Sequence, residues 1–380
     1  MLDFFNLKLE HFGLDISDGS IKIIKLKNNR GNLELASFGE KKIPKGIIEE
    51  GEIKDEASLA KIIREAVGNI NGEKIKTKYV ACSLPEEKSY LQVIQMPKMP
   101  EEEIKQAVKF EAENYIPLPI EKAYFDFQVI KPFYNHLDHL DVLITAIPRK
   151  IVDGYISALK MAGLKPIALE IESLAITRAL IKDEASPFPI LIIDVAATRT
   201  GFAVFSGHSL RFTSSIPTSS EDFTEAISKA LNIDLSKAEE LKRKYGLHGP
   251  QKTLLKEKTG DFKFEKEITE DKNISQALLP SLTILVSKIK THLDYYQAHL
   301  GHEHLPSNVK SVEKIMICGG GANLKGLPEF LLKELKIKTE VGNPWANAPK
   351  GASKMPIEKS LSFATAIGLA QRKNRIENKK

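Results

Sequence analysis

The chain has 380 residues, of which 42% are hydrophobic and 28% charged, with a net charge of +5. That balance excludes a disordered chain, leaves room for two separate cores, and gives no basic excess that would argue for nucleic acid. With only Cys82 and Cys318, each beside an apolar run, a disulfide framework and a cysteine-rich zinc site are also excluded, and no apolar run nears the roughly 20 residues that span a bilayer.

The first segment carries Leu2, Phe4, Phe5, Leu7 and Leu9. It reads either as an arm for a membrane or partner or as a strip packed on its own domain. It lacks the basic start and long apolar centre of a signal peptide, so the expectation is a cytoplasmic protein. Phe12-Gly13-Leu14-Asp15-Ile16-Ser17-Asp18-Gly19-Ser20 then runs into Ile21-Lys22-Ile23-Ile24-Lys25-Leu26. An apolar run ending on an acid, a small polar turn and a second apolar run predict a hairpin with Asp15 at the tip of its first strand. Such a tip presents backbone N–H groups to phosphate and a carboxylate to a metal; alone, it is equally a surface turn.

Leu33 to Gly39 alternates as a third strand, and Asp55 is placed to cap a helix carrying Leu59, Ile62, Ile63, Ala66 and Val67. Tyr79 to Leu84 is the next strand. From Pro85 the pattern changes. Tyr90 to Met96 reads as a strand and Glu101 to Tyr115 as a helix with three acids in its first turn, stopped by Ile116-Pro117-Leu118-Pro119. Ala123 to Val129 and Asp141 to Pro148 read as strands and Lys150 to Met161 as a helix, so 84–163 forms a compact insertion. The histidines of the polar loop 135–139 have no third ligand and read as solvated. Pro166 to Ala175 leads into a helix ending near Leu180, with Glu172 at its start.

Asp183 to Pro189 is a polar, proline-bearing boundary. After it the first pattern returns: Pro189-Ile190-Leu191-Ile192-Ile193-Asp194-Val195-Ala196-Ala197-Thr198-Arg199-Thr200, then Gly201 to Phe205. Ser209 to Thr213 extends this sheet, and Ser219 or Ser220 caps a helix from Glu221 to Leu231. In the helix Ala238 to Gly246, Glu239 and Lys242 share a face. Lys252 to Lys272 reads as a solvated loop or hairpin. Leu278 to Leu300 is a long amphipathic helix, and His302-Glu303-His304 is a loop ending at Pro306. Lys314 to Ala322 is a strand running into Gly319, Gly320 and Gly321, which let a backbone approach a flat ligand closely. A helix from Leu327 to Leu335, a loop from Trp345 to Pro356, a closing helix from Leu361 to Ala370 and a basic tail complete the chain.

Two acid-tipped hairpins followed by a glycine loop, in this order, resemble the actin-like ATPase superfamily. The insertion after Pro85, and the run Phe110-Glu111-Ala112-Glu113-Asn114-Tyr115-Ile116-Pro117-Leu118-Pro119-Ile120, resemble the PilM family of type IV pilus assembly and, next to it, the FtsA division proteins. The resemblance implies an α/β fold of two ribonuclease-H-like domains around a nucleotide cleft, with an SHS2-like inserted subdomain. It divides the chain into IA (10–83, 164–184 and 357–372), 1C (84–163), IIA (187–218 and 310–356), IIB (219–309) and a tail (373–380).

For the cleft it implies ATP, with Mg²⁺ held mostly through water between Asp15 and Asp194. Phosphate contacts come from Ser17, Asp18, Gly19, Ser20 and Lys22 in one hairpin and Ala196, Ala197 and Thr198 in the other. The adenosine lies between Gly319, Gly320, Gly321 and Asn323 on one side and Glu239 and Lys242 on the other. Glu172 is the aligned candidate for positioning water, and is otherwise an acid at a helix start. Ser17 and Ala196 stand where the family has glycines, which costs about 1 kcal/mol each if a left-handed backbone is required. The double glycine expected near Pro217 is also absent. Weak ATP binding and at most slow turnover follow.

The implied partner is a PilN-like membrane protein, docked by its cytoplasmic N-terminal peptide in a groove to which Phe110, Glu111, Tyr115 and Ile116 contribute. A pilus motor ATPase and further copies of the chain are the other partners the resemblance allows; nucleic acid is not among them. The implied location is the cytoplasm, peripheral to the inner membrane through that partner. Two alternatives stay open: an actin-fold small-molecule kinase, and an FtsA-like filament former, against which the tail's lack of an amphipathic helix counts.

Overall fold

The computed structural model describes residues 10–29, 32–132, 138–247, 268–298, 311–348 and 355–372. Met1 to Leu9, most of the charged stretch after Lys252, the His302–His304 loop, residues 135–137 and the tail from 373 lie outside these.

The hairpin at Asp15 forms as the alternation dictates. β1 (Phe12–Ile16) and β2 (Ser20–Asn29) pair antiparallel, and β3 (Asn32–Lys42) extends the meander. A small hairpin, β4 (Ile48–Glu49) and β5 (Glu52–Ile53), precedes α1 (Glu56–Gly68), whose N-cap Asp55 accepts from the Ser58 N–H at 3.0 Å. After β6 (Asn71–Gly72), β7 (Tyr79–Leu84) lies parallel beside β1. Every β1 residue is buried, as expected of a central strand covered on both faces.

The insertion contains β8 (Tyr90–Pro97), α2 (Glu101–Ala112), β9 (Ala123–Val129) and β10 (His139–Pro148), with β10 central in a three-stranded sheet. α2 buries Val108 and Ala112 against Ile94, Met96, Val142 and Ile144. The next helix, α3 (Arg149–Met161), packs elsewhere. Its Tyr155 and Leu159 join Leu59, Ile63 and Cys82 in the core under the first sheet, beside α1. The insertion's own core is therefore drawn from its three strands and α2, while α3 roots it in the first domain. At its other side, Asp141 on β10 pairs with Arg211 of the second domain at 3.0 Å.

β11 (Lys165–Ile171) completes the first sheet parallel to β7 and turns directly into α4 (Glu172–Leu180). The second domain repeats the plan. β12 (Ser186–Val195), β13 (Thr200–Gly207) and β14 (Ser209–Ile216) form an antiparallel meander. α5 (Ser220–Leu231) starts from a capping box in which Ser219 and Asp222 satisfy each other's backbone N–H. α6 (Leu235–Tyr245) and α7 (Ile268–Ala298) follow. α7 begins earlier than its apolar spacing indicates, so residues 268–272 are helical instead of loop.

β15 (Lys314–Cys318) runs parallel to β12, α8 (Leu327–Leu335) follows, and β16 (Lys338–Val341) runs parallel to β15. The closing helix is two pieces, α9 (Ile357–Leu361) and α10 (Ala364–Ala370), broken at fully buried Phe363, which meets Phe38 edge to face. Among the described residues no helix is long and apolar enough to cross a membrane.

Both domains share one wedge. Ile176 and Leu180 of α4, Leu361 of α9 and Ala364 of α10 enter the second core, while α10 also lies on β1. This demands very close backbone approach. A Cβ on Gly368 would fall 1.8 Å from the Ala175 carbonyl oxygen, and one on Gly13 would fall 2.2 Å from that of Ala366. Overpacking of this kind costs about 1–3 kcal/mol. Gly368→Ala should lower the free energy of urea unfolding by that amount; an unchanged midpoint would mean that α10 is not seated on α4 as described.

Candidate functional site

The two hairpins point their acids into one cleft. Asp15, the penultimate residue of β1, pairs in register with Lys22 on β2, whose Nζ lies 4.0 Å from its Oδ2. Ser83, at the end of β7, donates its hydroxyl to Asp15 Oδ1 at 3.0 Å and accepts the Ile16 N–H at 2.9 Å. Burial raises Asp15, with Lys22 and Ser83 acting in the opposite direction. Asp194 faces it from β12, where its register partner is Gly201, which offers no cation. Burial first, and then the charge of Asp15, lift Asp194 to about 6, opposed by Lys22 and a hydrogen bond from Cys318.

Both turns close in the same way: the Ser17 N–H donates to the Ser20 carbonyl at 3.0 Å, and the Ala196 N–H to that of Arg199 at 3.0 Å. These two amides are therefore spent inside the turns, a correction to the expectation that they meet phosphate. The amides of Asp18, Gly19, Ala197 and Thr198 are the ones left as candidates. Neither Ser17 nor Ala196 adopts positive φ, so the strain cost attached to replacing glycine is not incurred. The Asp18 carboxylate is also engaged structurally, accepting the Gly51 N–H at 2.9 Å. Ser20 receives the Lys22 ammonium at 3.0 Å.

Glu172, the first residue of α4, is brought to the same cleft. Burial and then the charges of Asp15, Glu87, Asp194 and Glu86 hold it well above the carboxylate range. Glu86 and Glu87 were not among the residues singled out from the sequence. They follow the carboxyl end of β7, where open α/β sheets place their ligand groups, and that position was the available signal. Glu86 is buried and accepts the Ser173 N–H at 3.1 Å. Glu87 pairs with Arg199 across the cleft at 3.0 Å. Burial raises both Glu86 and Glu87. Among the described residues no three ligand side chains converge closely enough to hold a metal directly.

The glycine loop does something different from the expectation. Gly319 has φ +81°, and a Cβ there would lie 2.3 Å from Asp194 Oδ1. One on Gly321 would lie 2.4 Å from Val195 Cγ1. These glycines let the loop approach the protein's own β12, whereas a Cβ on Gly320 would make only an ordinary contact, with Ser362 Cβ at 3.9 Å. Asn323 ties the loop to α9, donating to the Glu358 carbonyl at 2.8 Å. On the facing side, Lys242 is buried and bonds to the Ser220 carbonyl at 2.8 Å, Thr224 Oγ1 at 2.7 Å and Glu239 Oε2 at 2.7 Å. It clamps α5 to α6, with Glu239 completing the clamp by accepting from Thr224 and held in turn by Arg243 of its own helix.

Of the groove residues, Phe110 is 72% exposed and Tyr115 is exposed, whereas Ile116 is 6% exposed. Ile116 continues the helical turn by donating to the Ala112 carbonyl, and that turn drives its side chain into the insertion core. It is therefore not a surface for a partner. Glu111 accepts from the Asn114 amide at 3.2 Å.

A family model for the type IV pilus assembly protein PilM matches residues 13–374. The chain belongs to the PilM family. A solved PilM–PilN type IV pilus biogenesis complex contains a chain of 28% identity that superposes with a TM-score of 0.75, covering 96% of this chain and 98% of that one. The cell division protein FtsA of Enterococcus hirae is 28% identical over 189 residues, which is 48% of this chain and 40% of that protein. FtsA of Neisseria meningitidis serogroup B is 26% identical over 212 residues, 56% of this chain and 49% of that protein. The chain thus spans about half or less of these curated relatives. The ethanolamine utilization protein EutJ of Carboxydothermus hydrogenoformans, at 15% identity and TM-score 0.54, shares the fold. This PilM-family chain has the actin-like ATPase fold.

The raised Asp194 has a pH signature. A carboxyl whose folded pKa exceeds its unfolded value favours the folded state below the unfolded value, and that contribution is lost as pH rises through the folded one. For Asp194 the window runs from 3.8 to about 6. Asp194→Asn should therefore be more stable than the parent chain at pH 7.5, by about 1–3 kcal/mol, with the difference shrinking towards pH 4. Guanidinium melts at both pH values check this; an equal effect at both would place the strained carboxyl elsewhere.

Proposed function

We propose that this chain is a cytoplasmic actin-like adaptor of type IV pilus assembly, which docks the cytoplasmic N-terminal segment of a PilN-like inner-membrane protein and is held at that membrane through it. The observation that carries this reading is the likeness to the PilM–PilN complex over nearly the whole length of both chains. A match of that length includes the insertion and its root, which fold analogy to actin alone would not supply.

The cleft is proposed to take ATP with Mg²⁺. The fit rests on charge. Desolvation by burial raises both Asp15 and Asp194, and the charge of Asp15 raises Asp194 further, so a divalent cation would relieve both. Two carboxylates with the remaining positions filled by water suit Mg²⁺, which dehydrates reluctantly. Lys22 and the amides of Asp18, Gly19, Ala197 and Thr198 would meet phosphates, and Gly320 would meet the adenosine. Glu172 would stand beside the reacting phosphate, with turnover slow at most. The adaptor role needs binding alone.

Phe110 and Tyr115, exposed at the end of α2, are proposed as part of the peptide surface, with Glu111 beside them. Calorimetric titration with a synthetic peptide of the PilN-like partner's N-terminal segment, with and without ATP·Mg²⁺, tests the reading. Peptide binding is expected, weakened about tenfold or more by Phe110→Ala, as for a truncated aromatic anchor. The variant's circular dichroism should be unchanged because Phe110 packs in no core. ATP binding without peptide binding would overturn the adaptor and favour a small-molecule kinase.

A further inference from the structure

Arg199 closes the turn of the second hairpin, and its carbonyl accepts the Ala196 N–H. Its guanidinium leaves that turn, crosses the cleft and pairs with Glu87 Oε2 at 3.0 Å, with a second bond to Ser215 Oγ at 3.3 Å. Both side chains are largely buried. Glu87, in the turn after β7, stands against Gly51 in the turn between β4 and β5: a Cβ on Gly51 would lie 2.9 Å from Glu87 Oε1, and the Gly51 N–H is the one held by Asp18 of the first hairpin. The ion pair therefore joins the tip of the second hairpin to the turn after β7, which Gly51 links to the first hairpin.

This pair has two effects on an incoming polyanion. It occupies the guanidinium that the second loop carries, a group suited to bidentate phosphate contact. It also places a carboxylate where the ligand's negative charge must go. Resting on the proposed nucleotide reading of this cleft, we infer that Arg199 is a phosphate-binding residue held in reserve. Glu87 masks it, and a nucleoside triphosphate entering between the hairpins takes Arg199 over from Glu87.

The masking explains a low affinity without invoking Ser17 and Ala196, whose backbone is unstrained. It also makes ligand entry exchange an interdomain contact for a ligand contact. The two domains are then joined at this point through the phosphate instead of through Glu87.

Titration of ATP·Mg²⁺ into the full chain and into Glu87→Gln, Arg199→Ala, Arg199→Lys and the Glu87→Gln/Arg199→Ala double variant tests this. Glu87→Gln should bind roughly tenfold more tightly and Arg199→Ala roughly tenfold more weakly, the scale of one charge-assisted hydrogen bond. Arg199→Lys should recover part of the loss, because it keeps the charge without the fork. The decisive result is the double-mutant cycle. The gain from Glu87→Gln should shrink when Arg199 is alanine, to the part that comes from removing the carboxylate's charge alone. A gain that persists undiminished there would mean that Glu87 acts only as a negative charge, and an Arg199→Ala variant that binds like the parent would also overturn the inference. Where the parent chain binds ATP, these outcomes bear on Arg199 alone. Binding by Glu87→Gln but not by the parent chain supports the masking. Absence of binding in every variant, with melts showing them folded, removes the nucleotide reading and this inference with it.

Discussion

The ends of β1 and β12 bring Asp15 and Asp194 into one cleft, where burial raises both and the charge of Asp15 adds to the cost of ionising Asp194. Like charges at short range in a poorly solvated space are expensive to hold together. The architecture supplies the holding. Two sheets of the same plan each put an acid at the carboxyl end of a central strand. A shared wedge of α4, α9 and α10 fixes the sheets relative to each other. The wedge can sit so close because Gly13 and Gly368 carry no side chain at the contact. The remaining carboxylates of the cleft, Glu86, Glu87 and Glu172, gather at the ends of β7 and β11 for the same topological reason.

The order of five strands repeats between the two sheets, the first adding β6 at its edge, but the chemistry is unequal. The first hairpin compensates its acid with Lys22 and the Ser83 hydroxyl. The second gives Asp194 a glycine partner in register, a thiol donor from Cys318 and the bare backbone of Gly319. Its cation, Arg199, is committed to Glu87 in the opposite domain. In the first half of the cleft the hairpin's own cation faces its acid, whereas in the second the hairpin's cation reaches across to the opposite domain. In the same way the Lys242 ammonium, on the facing side, is consumed in joining α5 to α6.

The insertion stands on both domains. α3 anchors it in the first core, and the Asp141–Arg211 pair ties its central strand to β14. Its outward aromatic side chains, Phe110 and Tyr115, are therefore presented from a body whose position depends on the cleft's two walls. A surface of this kind is well placed for an adaptor. It needs no catalytic group of its own, and its geometry is set by elements that also carry the nucleotide-site candidates.

By itself the sequence determined the local elements. An apolar run ending on an acid, a small polar turn and a second apolar run marked both hairpins, Asp55 and the Ser219–Ser220 pair marked helix starts by the donors they satisfy, and the order of hairpins and glycine loop pointed to the fold. These signals are local, because periodicity and capping act within a few residues. What lay beyond them needed three dimensions. The membership of α3 in the first core, the inward turn of Ile116, and the use of Gly319 and Gly321 against β12 depend on which surface each residue meets after packing. So do the engagement of Lys242 and the pairing of Arg199 with Glu87. An amphipathic helix states that one face is buried but not against what, and a charged side chain does not announce its partner across a cleft. Only the tertiary structure, by bringing distant chain segments within hydrogen-bonding distance, decided those partners.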